Sequence, residues 1–146
     1  MSAVIDADRE RVWQALTRPS ELVAWNEKIL SAIDETVEYP REGQPVRWLY
    51  RLGSVQVVLH EQPLEIVRHE RLRTALVVGS LRFEQTFALA NESNESPRTR
   101  LSMKLVTTNS VPVVGGVFDR FSLRKLAAES IDRSLLSIQN WCHEHP

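Results

Sequence analysis

The sequence predicts an α+β fold, a curved antiparallel sheet of about seven strands around a long C-terminal helix, with two short helices after the first strand. Three observations predict it. Residues 29–107 alternate between apolar and polar over several stretches separated by Gly- or Pro-containing turns, the pattern of an antiparallel meander. Beyond Gly115-Gly116 the apolar spacing becomes helical. Between the first short apolar run and the strands lie two short amphipathic segments that cannot bury much unless they pack on something larger.

In order, Ser2–Ile5 reads as an edge strand. Asp8 is placed to cap a helix over Arg9–Thr17, with Glu10 in the first turn, where the helix dipole favours negative charge, and Val12, Trp13 and Leu16 on the buried side. Pro19 suits the first position of a second helix that buries Leu22, Val23 and Trp25. Ile29, Ser31, Ile33, Glu35, Val37 and Tyr39 form the inward row of the next strand, which ends in a turn around Gly43. Val46, Trp48, Tyr50 and Leu52 make the next row, and Gly53-Ser54 turns the chain into Val55, Val57 and Leu59. Pro63 then interrupts the chain before a long strand from about Glu65 to Val78. Leu81, Phe83, Gln85, Phe87 and Leu89 follow, then a polar loop over 91–98, then Leu101, Met103, Leu105 and Thr107. The last helix, from near Val117 to Trp141, carries Leu123, Ala127, Ile131, Leu135, Ile138 and Cys142 along one stripe, widened by Phe121, Ala128 and Trp141.

Composition narrows the function. The 146 residues suit one domain, 1–146, with 42% hydrophobic and 25% charged residues and a formal charge of −1. That charge argues against nucleic acid as a partner, and no apolar run is long enough for a membrane span. One cysteine permits no intrachain disulfide, and with no export signal at the start the expected location is cytoplasmic. His60 and His69 lack metal-ligand spacing, and Cys142, His143 and His145 read as a frayed tail, so neither a metal nor a cofactor is expected. Cys142 continues an apolar stripe and reads as a small buried hydrophobe.

The polar residues in the inward rows are more informative. Strand parity points Ser31, Tyr50, Arg68, Glu70, Thr74, Gln85 and Thr107 inward. Arg68 and Glu70 either share a buried ion pair or sit solvated at an open rim, and a β-bulge would turn His69 inward instead. Arg47, Arg51, Arg71, Arg73, Arg82, Arg100 and Lys104 gather on the opposite, solvated face.

Particular stretches add a resemblance. The segment Ile5-Asp6-Ala7-Asp8-Arg9-Glu10-Arg11-Val12-Trp13-Gln14-Ala15-Leu16 resembles the opening strand and helix of the START-like superfamily, also called SRPBCC. Pro19 to Trp25, Gly43 before a strand, Glu61-Gln62-Pro63 and Thr99-Arg100-Leu101 are similar to later parts of the same pattern, within its polyketide cyclase/dehydrase-like branch. The resemblance implies the helix-grip fold of the birch pollen allergens and an internal cavity between sheet and helix. It implies a small apolar ligand, such as a lipid, polyketide or aromatic metabolite, held by Trp25, Ser31, Trp48, Tyr50, Arg68, Thr74, Phe83, Gln85, Met103 and Phe121. The alternative is an enzyme that closes and dehydrates a polyketone by aldol chemistry, with Glu70 as base and Arg68 or Tyr50 as donor. A third reading is a chaperone-activating or dimerising domain, and a homodimer stays open.

Overall fold

The computed structural model describes residues 1–36, 38–93, 96–108 and 120–146, excepting the side chains of 93 and 120–127. The elements run β1 (Ser2–Ile5), α1 (Arg9–Thr17), α2 (Pro19–Trp25), β2 (Ile29–Ala32), β3 (Val46–Leu52), β4 (Val55–Val67), β5 (Arg71–Val78), β6 (Leu81–Ser93), β7 (Arg98–Thr107) and α3 (Arg120–Glu144). The Gly115-Gly116 hinge, Val37 and the side chain of Phe121 lie outside the described residues.

The two short helices form for the local reasons expected. Asp8 accepts the Arg11 backbone N–H at 2.8 Å and so satisfies an otherwise orphaned donor of the first turn. Arg18 ends α1 in an extended conformation and starts α2, where Pro19 needs no hydrogen-bond partner. The Trp25 indole donates to the Ala15 carbonyl at 2.8 Å and fastens α2 to α1.

The seven strands are ordered β1-β7-β6-β5-β4-β3-β2, and every neighbouring pair is antiparallel. Consecutive strands from β2 to β7 are joined as a meander, and β1 returns to the edge beside β7. One sheet face carries the core, with Trp48, Leu59, Leu72, Phe87, Leu101 and Met103 buried. The other is solvated, and four of its arginines are paired: Arg47 with Asp34, Arg71 with Glu65, Arg73 with Glu84 and Arg100 with Glu92, at 2.7–2.9 Å. Exposed pairs of this kind contribute little stability but leave these four arginines with acidic partners rather than as an open basic patch.

Four strand boundaries differ from expectation, the first being the polar loop expected over 91–98, into which β6 runs as far as Ser93 and from which β7 starts at Arg98. β2 stops at Ala32, and the register shifts between Ile29 and Ser31; this irregularity turns Ser31 outward and leaves it exposed. β4 runs through Pro63, which lies beyond the end of β3 and beside a second shift between Pro63 and Glu65. A ring without an N–H is tolerated there, and the Pro63 carbonyl accepts the Gly43 N–H at 2.8 Å. The stretch from Glu65 to Val78 is a hairpin rather than one strand. Arg68, His69 and Glu70 form its turn, with His69 at φ +65°.

Helix α3 buries Ile131, Leu135, Ile138 and Cys142, part of the stripe expected of it, while Ala128 is exposed. Its C-terminal half is tied to the rest of the fold by polar bonds. Gln139 donates to the Val4 carbonyl at 2.9 Å, and the Trp141 indole donates to Glu21 at 2.7 Å. The Arg11 guanidinium meets the same Glu21 oxygen at 2.7 Å and also donates to the His145 carbonyl at 2.8 Å. Burial by itself raises the Glu21 pKa, but the hydrogen bonds from Trp141 and Arg11, with the charges of Arg11 and Arg18, outweigh it and hold the carboxyl below its usual range. Among the described residues, no helix is long and apolar enough to cross a membrane.

Candidate functional site

Between the concave sheet face and the helices lies a cavity of about 320 Å³. Leu16, Leu22 and Trp25 of α1 and α2 form one side. Leu59, Leu72, Leu76, Phe83, Phe87, Met103 and Leu105 make an apolar floor on the sheet. Helix α3 contributes a different surface: Ser130, Arg133, Ser134 and Ser137, whose i, i+3, i+4, i+7 spacing sets a polar face against the apolar floor.

At the inner end a carboxylate is buried on this wall. Glu61 follows Leu59 on the inward parity of β4 and is 7% exposed. The Trp48 indole donates to Glu61 Oε1 at 3.0 Å, and the Tyr39 ring stands edge-on to Trp48 with centroids 5.4 Å apart. The Tyr39 hydroxyl interacts with the carboxylate, as does the hydroxyl of Thr74 on β5, although Thr74 Oγ1 lies outside good hydrogen-bond geometry. Burial penalises the ionised form more than these donors stabilise it, so the Glu61 pKa is raised. Burial, and then the neighbouring Glu61, raise the Tyr39 hydroxyl well above the usual phenol range, so it stays protonated as a donor.

The other end is cationic. Lys28, from the α2–β2 connection, and Arg133, from α3, both line the cavity near Tyr50, with Asn26 and the exposed Glu27 beside them. Burial and then the Arg133 charge lower the Lys28 pKa, opposed by Glu129. Burial raises the Tyr50 pKa, opposed by Arg133. Elsewhere, burial pushes the Cys142 thiol up to about 11, so it is neither a nucleophile nor a ready metal ligand at neutral pH.

Of the residues singled out in the sequence, Trp25, Trp48, Tyr50, Phe83, Gln85 and Met103 stand on the cavity wall. Thr74 points inward and is fully buried beneath Glu61. Ser31, Arg68 and Glu70 do not reach the cavity. The β2 irregularity exposes Ser31, and the β4–β5 turn places Arg68 and Glu70 in solvent, where Glu70 lies 3.9 Å from Arg9. Arg68 and Glu70 therefore form no internal pair, and Glu70 is no cavity base. Tyr39 belongs to an inward row of the sequence, whereas Glu61, Lys28 and the polar face of α3 are brought to the site by the structure. Extending the Val55-Val57-Leu59 alternation by one further inward position finds Glu61, and the Ser130–Ser137 spacing finds the helix face.

A family model described as polyketide cyclase/dehydrase and lipid transport matches residues 1–140. The chain belongs to this family. Solved structures agree on the START-like fold. A START superfamily protein from Mycobacterium smegmatis superposes with a TM-score of 0.79 at 15% identity, covering 100% of this chain and 97% of that one. A protein from Thermus thermophilus gives 0.64 at 23% identity, covering 99% and 95%. A protein of the dynemicin biosynthetic locus gives 0.61 at 13% identity over 93% of this chain but only 45% of that longer one. No match was found among curated proteins. The family member described here thus combines a helix-grip architecture with an apolar cavity that has a buried carboxylate at one end and two cationic side chains at the other.

Proposed function

We propose that this protein binds a small, largely apolar molecule in the cavity, and that Glu61 orients it by accepting a hydrogen bond from a ligand hydroxyl. The observation that carries this is a carboxylate 7% exposed on an otherwise apolar wall. Leaving a charge there costs several kcal/mol unless it has partners, and a ligand hydroxyl supplies another. Apolar burial at about 25 cal/mol per Å² supplies the rest of the affinity. Calorimetry with 2-naphthol and 2-methoxynaphthalene tests it. Saturable binding is expected, tighter for the naphthol, with the difference reduced in Glu61→Gln and all binding lost in Leu76→Trp, which fills the cavity. Binding indifferent to both substitutions refutes it.

A second reading is favoured by the raised Glu61 carboxyl beside the Tyr39 donor. Such a pair suits removal of a proton next to a carbonyl while a hydroxyl steadies the developing oxyanion, the step an aldol cyclisation requires. Turnover of an aromatic polyketone that Glu61→Gln abolishes while binding persists supports catalysis over carriage.

A further inference from the structure

The cavity is chemically two-ended. Along β4, Glu61 stands four residues from Val57, the register partner of Tyr50. At roughly 3.3 Å per residue this separates the carboxylate from the Tyr50 level by about 13 Å. Lys28 precedes Ile29, the register partner of Tyr50, and Arg133 acts electrostatically on both Lys28 and Tyr50, while Ser130 and Ser134 line the same cavity beside Arg133 on α3, so hydrogen-bond donors come from two different elements. The acids nearby are Glu27, exposed on the rim, and Glu129, which is exposed on α3 and is not part of the wall. Among the described residues, neither Lys28 nor Arg133 has a carboxylate within ion-pair distance, whereas four arginines of the outer sheet face do. Two cations held toward one cavity repel each other until an anion joins them.

We propose that this end is an anion subsite and that the ligand is an amphipathic acid, its carboxylate held by Lys28 and Arg133 and its apolar body running toward Glu61, which meets a hydroxyl at the far end of that body. The Glu61 end places a second carboxyl group and, among the described lining residues, no cation beside the ligand, so the two ends together fix one orientation. The Ser130 and Ser134 hydroxyls complete the donor set, and the leucines and phenylalanines of the sheet cover the body. This rests on the cavity-binding reading above and specifies the class of its ligand.

The experiment compares decanoate with decanol by calorimetry, on the wild type and on Lys28→Met/Arg133→Met. Both substituted side chains are at least partly exposed, and a thermal melt confirms that the variant folds. Decanoate is expected to bind wild type about tenfold tighter than decanol, the value of one charge-assisted hydrogen bond near solvent. The double variant is expected to lose that preference, read as the ratio of the two affinities within each protein so that any change in the wall common to both compounds cancels. Added NaCl should weaken wild-type binding of decanoate relative to decanol. Equal affinities in the wild type, or a preference that survives in the double variant, overturn the anion subsite while leaving the cavity reading intact. Failure of both compounds to bind wild type overturns both.

Discussion

Trp48 and Glu61 lie on adjacent strands as diagonal neighbours, and the indole Nε1 reaches Glu61 Oε1 at 3.0 Å across the inner end of the cavity. The bond supports the ionised carboxylate, yet burial prevails and the pKa stays above the ordinary 4.5. The native state therefore holds this proton to a higher pH than the unfolded chain does. The resulting stabilisation is fully present below the unfolded pKa and is lost as pH rises through the raised native one. Glu61→Gln keeps an acceptor oxygen and removes the titration. Urea unfolding of both proteins between about pH 4 and pH 8 should show wild type losing stability relative to the variant as pH rises, with a plateau above the native pKa. A difference independent of pH contradicts the assignment.

Glu21 has the opposite sign, because its donors and cations outweigh burial. Its contribution is present above the unfolded carboxyl pKa and is lost as pH falls through the lowered native one. Glu21→Ala removes the acceptor shared by Trp141 and Arg11, and Arg11 Nη1 already lacks a hydrogen-bond partner. Breaking a mostly buried ion pair from one side should cost about 3 kcal/mol at neutral pH, read from chemical denaturation. A loss below about 1 kcal/mol would mean that the network is only decorative.

His69 occupies the left-handed region at φ +65°, and its ring meets Trp13 edge-on with centroids 6.3 Å apart. Substituting Ala or Gly removes the ring equally, but only Gly accepts the backbone without a Cβ penalty. His69→Ala should therefore be less stable than His69→Gly by about 1 kcal/mol in thermal or urea unfolding. The reverse order would show that the turn relaxes away from this conformation.

Where local chemistry and tertiary need agree, the sequence is transparent. Asp8 caps α1, Pro19 opens α2, and Gly53 and Gly79, both at positive φ, turn the two hairpins expected at those positions. The misreadings fall where the backbone breaks the usual rules. The β4–β5 turn contains no Gly, Pro or Asn, so 65–78 looks like one strand, and strand parity carried through it makes Arg68 and Glu70 falsely inward. Pro63 looks like a strand breaker because nothing local shows that β3 has already ended beside it. Glu61 directly continues the Val55-Val57-Leu59 row, but a carboxylate in an apolar row carries no hydrophobic signal. The polar face of α3 carries no signal in the pattern because hydrophobic patterning assumes a filled core, and a wall that faces a cavity need not be apolar.

The pairing of β1 with β7, Ser2 opposite Ser102, also bears on how the chain is made. The first four strand residues emerge from the ribosome long before their partner exists, and Ile5, completely buried in the finished fold, must wait without cover. The β2–β7 meander joins near neighbours and can assemble as it is synthesised, but the opening strand can close only after about a hundred further residues. Closure is thus a late event whose rate is set by long-range chain search rather than by hairpin formation.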